Sequence, residues 1–206
     1  MSVATLTILI PTFFVVSLTP GLCMTLSMTL GMTIGVRRAL WMMPGELLGV
    51  AIVAAASIIG VAALVLQYPT LFAVVKIIGG IYLGYLGIQL WLSKGKMALQ
   101  TGQPANATVS PWALAVQGFI TAVANPKGWA FCIALLPPFI DQNRPFMNQL
   151  LILLGVILAI EFSCLILYAS GGRTLNYLLQ KQGNVRLINR IAGTSMILVG
   201  IWLGVA

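Results

Sequence analysis

The chain has 206 residues, 60% of them hydrophobic and 7% charged, and its mean hydropathy is +1.03. About a quarter of the residues of a soluble domain are charged, so this composition excludes a soluble domain of useful size. The net charge of +8 does not point to nucleic acid either, because the basic residues are scattered through short loops between apolar runs, where they act as orientation signals.

Apolar runs recur at roughly 4–32, 39–66, 69–92, 112–138, 147–171 and 187–205. Each is about 20 residues or longer, enough to cross a hydrocarbon core of about 30 Å. They are too uniformly apolar for barrel strands, and a helix satisfies its own backbone in lipid. The expected fold is an all-α membrane protein with six transmembrane helices in a single transmembrane domain, residues 1–206. Met1 to Ile10 has no basic stretch ahead of its apolar run, so no cleaved signal is expected.

Loop charges set the orientation. Arg37 and Arg38 lie in the first loop, Lys94 and Lys96 in the third, and Arg173, Lys181, Arg186 and Arg190 in the fifth region. The second loop, around Gln67-Tyr68-Pro69, has no basic residue, and the fourth has only Arg144, beside Asp141. The odd loops therefore face the cytoplasm and both termini lie outside. The polar stretch from Ser93 to Pro111 reads as a cytoplasmic linker (93–111) between repeat one (1–92) and repeat two (112–206). Asn106-Ala107-Thr108 matches a glycosylation acceptor, but a cytoplasmic loop never meets that machinery. With three helices in each half, the second half enters from the opposite side, an inverted repeat of the kind found in transporters. Gly80, Gly87, Ile88 and Leu90 recur as Gly193, Gly200, Ile201 and Leu203 at the same spacing.

Helices 1 and 4 are expected to be broken, by Thr19-Pro20-Gly21 and Asn125-Pro126-Lys127. A polar residue before proline is the pattern of a helix start: the side-chain oxygen caps free N–H groups, and proline suits the first helical position. Two half-helix N-termini inside the membrane make a ready site for a carboxylate. Thr19, Pro20, Gly21, Asn125, Pro126 and Lys127 are the candidate substrate-binding residues. A simple proline kink is the rival account of each break.

Two of the three acids lie inside apolar runs, Glu46 and Glu161. Along a helix, Glu46 falls about 12 Å from Arg38 and Glu161 about 18 Å from Arg173. Pro20 and Lys127 fall about 25 Å from Arg37 and Pro111, so all these groups can converge. An ionisable group at that depth costs about 2.5–3.5 kcal/mol, which makes function the default reading. Burial and a neighbouring cation pull such a carboxyl in opposite directions, which suits a group that binds an ammonium or carries a proton. A static ion pair of Lys127 with one glutamate is the rival. Lys76, nearer a helix end, reads as snorkelling.

Cys23, Cys132 and Cys164 show no metal or redox spacing and read as small packing residues. Histidine is absent, and no cofactor, metal site or enzymatic activity is expected. Gly21, Gly31 and Gly35, with Met24, Met28 and Met32, read as packing positions. Small-residue faces leave a homodimer open. A thiol–disulfide electron carrier is an alternative, since Cys23 and Cys132 follow Pro20 and Pro126, though at different offsets. A passive channel is another.

At these residues the chain resembles the lysine-exporter/homoserine-exporter (LysE/RhtB) family of bacterial amino-acid exporters. The matching pieces are Thr19-Pro20-Gly21, the Gly31 to Ala39 loop, Glu46, Lys76 and Gly79-Gly80-Ile81-Tyr82-Leu83-Gly84-Tyr85-Leu86-Gly87. Asn125-Pro126-Lys127, Leu136-Pro137-Pro138-Phe139-Ile140-Asp141 and Glu161 complete them. The family usually reads Pro-Gly-Pro at the first break, where this chain has Leu22 and then Cys23. The resemblance implies export of amino acids or related metabolites across the bacterial inner (plasma) membrane, driven by the proton gradient.

Overall fold

The computed structural model describes residues 3–67, 69–92, 109–136, 139–141 and 143–172, together with 186–187, 190–191, 193–194, 197–198 and 201. Most of the expected linker, most of the last apolar run, Lys94, Lys96, Arg173, Lys181 and the Lys76 side chain lie outside the described residues.

Every regular element among the described residues is helical. The first apolar run forms α1 (Val3–Leu18) and α2 (Leu22–Thr33), which meet at 57°. Pro20 sits in the break, where its missing N–H and ring end the α1 hydrogen-bond ladder. Gly35, with φ of +83°, turns the chain into the short α3 (Val36–Ala39). A 3-10 turn at Leu40–Met42 leads into α4 (Met43–Gln67). The second run thus starts a few residues earlier than its hydropathy indicates. α5 (Pro69–Leu92) begins on a proline, as the sequence expects.

The fourth run is broken as expected, into α6 (Pro111–Val123) and α7 (Pro126–Leu135). Ser110 caps α6 through the Ala113 N–H at 3.2 Å. α8 (Phe146–Ser170) is unbroken. Val36–Gly60 and Phe146–Ser170 are each long and apolar enough to cross a membrane, and α1 with α2 makes a third such span if counted together. The described positions from 186 to 201 are also helical.

α4 packs against α6, α7 and α8, while α2 packs against α6 and α8. α1 lies on α8, and α5 on α4 and α7. One buried cluster contains Leu9, Phe13, Val53, Ile58, Phe131 and Ile157. The other contains Met24, Met28, Leu30, Met42, Leu114 and Leu165; Met28 packs as expected, while Met24 packs here and also lines the cavity described below. Water gives helices in lipid little reason to associate, and close backbone approach takes over that role. Gly45 on α4 and Gly118 on α6 supply it. A Cβ on Gly45 would lie 1.8 Å from the Ala115 carbonyl oxygen, and one on Gly118 2.3 Å from that of Met42. Gly45→Ala is expected to force the two helices apart, at a cost of about 1–3 kcal/mol. The thermal midpoint in mild detergent measures this against Gly60→Ala, where an added Cβ meets nothing within 4 Å.

Further contacts tie the periphery together. A Cβ on Gly193 would lie 2.5 Å from the Gly87 carbonyl oxygen, so the backbones approach closely at these two glycines. Beside them Trp91 donates its indole N–H to Thr194 at 3.2 Å, and Arg190 stacks over its ring at 4.7 Å. In the loop before α8, Arg144 pairs with Asp141 at 3.2 Å. The buried Gln149 side chain bonds both the N–H and the carbonyl of Asp141, at 2.9 and 2.8 Å.

Candidate functional site

The two breaks face each other where the two buried clusters meet. The first break is built differently from the sequence expectation. Thr19 does not cap α2: its hydroxyl donates to the Val15 carbonyl at 2.8 Å, and its N–H reaches the Val15 and Val16 carbonyls at 3.2 Å each. Thr19 therefore closes α1. The threonine precedes the proline, so its hydroxyl falls within reach of the turn behind it rather than the helix ahead. α2 starts one residue after the Pro20-Gly21 pair, with Gly21 at its N-cap and no side-chain cap. The first N–H groups of α2 are left free of intrahelical partners. Leu22 takes the first helical position and, unlike proline, adds an N–H there.

The second break follows the expected pattern. Asn125 caps α7 by accepting from the Lys127 N–H at 3.1 Å, and Pro126 takes the first helical position. The Asn125 amide also donates to the Cys23 sulfur at 3.7 Å, tying the second break to α2.

Lys127 carries the main contact between the breaks. Its ammonium donates to the Thr19 carbonyl at 2.9 Å and to the Val16 carbonyl at 3.0 Å. An added Cβ on Gly21 would sit 3.6 Å from both Cδ and Nζ of this lysine, so the side chain lies across the Pro20-Gly21 turn. The static ion pair weighed from the sequence is not formed. Lys127 is held by backbone oxygens instead.

The two acids have different settings. Glu161 on α8 accepts from the Ser17 hydroxyl at 2.6 Å, and Ser17 lies between the carbonyls that hold Lys127. Glu46 is wholly buried in the first turn of α4, and neither of its carboxyl oxygens has a hydrogen-bond partner. The Cys23 thiol and the Glu161 carboxyl are its polar neighbours.

A cavity of about 60 Å³ lies among these groups. Its polar wall comprises Ser17, Thr19, Cys23, Asn125, Lys127 and Glu161, and its apolar wall includes Phe13, Val50 and Phe131. Gly21 also lines it, whereas Pro20, Pro126 and Glu46 do not. Pro126 is exposed, and Glu46 is sealed behind the wall. A buried water needs at least about 10–15 Å³ of such space, so this is room for a few waters.

Sequence reasoning does not single out Ser17 or Tyr168. Tyr168 donates to the Leu18 carbonyl at 2.8 Å and so ties the end of α1 to α8. Ser17 is visible in the sequence only as a hydroxyl two residues before a break, and nothing in the sequence marks Tyr168. The three cysteines are free and buried, and no group able to hold a metal ion occurs among the described residues.

Interrupted apolar helices that turn backbone ends, a lysine and a carboxyl toward one cavity are a pattern found in membrane transport proteins. The model of the LysE type translocator family matches residues 14–206, and the chain belongs to that family. It is 29% identical to an uncharacterized membrane protein of Vibrio cholerae over 95% of this chain and 94% of the relative. It is 29% identical to the leucine efflux protein of Salmonella typhimurium over 72% of this chain and 70% of that protein. The homoserine/homoserine lactone efflux protein of the same organism is 29% identical over 66% of this chain and 64% of that protein. No solved structure matches.

Proposed function

We propose that this protein exports amino acids or closely related metabolites across the bacterial inner membrane by antiport with protons. The supporting observation is the Lys127 bridge between two facing helix breaks, in a cavity that also carries Glu161. The names of the relatives make leucine and homoserine the first candidates.

In this reading six helices form two inverted three-helix repeats, with both termini outside. Substrate enters from the cytoplasm, and its carboxylate docks at the breaks, Thr19-Pro20-Gly21 and Asn125-Pro126-Lys127. Its ammonium meets Glu161, with Glu46 behind it as a second proton carrier. Protonation from the outer side weakens the ammonium contact and helps release. The cavity has room for only a few waters, so in this reading its walls part in each cycle, as alternating access demands. A passive pore would need a continuous path and would show no saturation.

Inverted inner-membrane vesicles with an acid lumen test the reading. Protons leaving the lumen are expected to drive saturable accumulation of a candidate amino acid. Collapse of the gradient should abolish that accumulation. Accumulation indifferent to the gradient defeats the coupling, and failure to accumulate any amino acid defeats export itself.

A further inference from the structure

The last carbonyls of a helix lack intrahelical partners and carry partial negative charge. At the end of α1 these oxygens divide into two groups. Val15 is satisfied locally by the Thr19 hydroxyl, Val16 has only a 3.2 Å share of the Thr19 N–H, and Leu18 accepts from Tyr168. Thr19 and Val16 both accept from one ammonium, which arrives from α7 at 2.9 and 3.0 Å. These two carbonyls thus form a cation site at the wall of the cavity, beside Glu161.

A lysine ammonium and the α-ammonium of an amino acid are the same chemical group, a compact cation with three donors. We infer that the Val16 and Thr19 carbonyls are the receptor for the substrate's ammonium, and that Lys127 fills it as a surrogate until substrate arrives. This inference rests on the export reading and deepens it, because it names the substrate class as zwitterions.

The exchange keeps every strong donor and acceptor partnered. The incoming ammonium takes the two carbonyls and faces Glu161. The displaced Lys127 ammonium takes the incoming carboxylate, which also meets the free N–H groups at the start of α2. A molecule with only one of the two charges breaks this balance. An amine that displaces Lys127 leaves a buried ammonium without a partner. A carboxylic acid that draws Lys127 away leaves the Thr19 carbonyl bare and the Val16 carbonyl with only the long Thr19 N–H contact that it shares with Val15. Either unpartnered state costs more than an ordinary hydrogen bond contributes, so discrimination follows from the penalty against the wrong ligand.

The bridge also joins α1 to α7. The same exchange therefore releases one break from the other at the moment substrate binds, which couples occupancy to opening.

The test uses the full chain in proteoliposomes and counterflow of a labelled amino acid that it exports. The competitors are L-leucine, L-leucinamide and 4-methylpentanoate, assayed at about pH 6, where an α-amino group is protonated. Leucine is expected to compete at least about 10-fold better than either single-charge analogue. In Lys127→Gln, the preference for leucine over leucinamide is expected to fall below about 3-fold, and Lys127→Arg should recover most of it. A merely structural lysine would change the rate and leave that ratio intact.

Equal competition by leucinamide or 4-methylpentanoate in the unaltered protein overturns the inference, as does a Lys127→Gln protein that keeps its preference. If Lys127→Gln does not fold, the three competitors against the unaltered protein still decide. Transport of amino acids with no discrimination removes this inference alone, whereas absence of any amino-acid transport removes the export reading as well.

Discussion

Glu161→Gln is expected to cut gradient-driven export about 10- to 100-fold and to leave a residual flux that no longer responds to the pH gradient. The side chain keeps its volume, and its amide oxygen can still accept from the Ser17 hydroxyl, which donates to the Glu161 carboxylate at 2.6 Å. The variant should therefore fold. What it loses is charge and the capacity to take up a proton. A hydrogen bond to a charged group contributes about 1.5–3 kcal/mol, which sets the size of the loss in affinity for an ammonium. The variant imitates the protonated, releasing form of the site and stays in it. Accumulation in inverted vesicles, with and without an acid lumen, is the measurement. A Glu161→Gln protein that responds to the gradient as fully as the original removes this residue from the coupling.

Glu46→Met is expected to stabilise the protein and to weaken coupling. Neither Glu46 oxygen has a partner, and the residue is wholly buried between α4 and its neighbours. A buried polar group left unsatisfied costs about 1–3 kcal/mol, and an unbranched thioether of similar length removes that cost. For a chain of this length each kcal/mol corresponds to about 2–4 °C in the thermal midpoint. In the proposed antiport that burden has a use, because the adjoining Cys23 thiol and Glu161 carboxyl would give the group a place in proton movement. The midpoint in mild detergent and the gradient response of transport are read on the same preparation. A Glu46→Met protein that melts lower and transports normally would show that the carboxyl serves packing alone.

The two breaks show how far local chemistry reaches. Asn125-Pro126-Lys127 is a self-contained helix start: cap, proline and first N–H all lie within three residues, and the structure has that arrangement. Thr19-Pro20-Gly21 has the same outward grammar, yet Thr19 turns back to close α1 and the cap position passes to Gly21. A threonine hydroxyl can serve either neighbouring turn, and only the direction of the emerging chain selects one. Likewise the spacing of acids along their helices places Glu46 and Glu161 at similar depth, but depth along a helix leaves the direction around its axis open. Glu161 faces the cavity, and Glu46 lies behind Cys23.

By itself the sequence determined the helical membrane class, the limits of most helices, the location of both interruptions and the family. Each of these follows from near neighbours: apolar run length, proline without an N–H, a polar cap, a short motif. Only the tertiary structure decided that Lys127 rests on the carbonyls of α1 rather than on a glutamate, that Ser17 and Tyr168 complete that end, and that Gly45 and Gly118 set how closely α4 meets α6. These depend on distances between segments far apart in the chain. Backbone oxygens, which every residue possesses, carry no mark in a sequence that says which of them will be left bare.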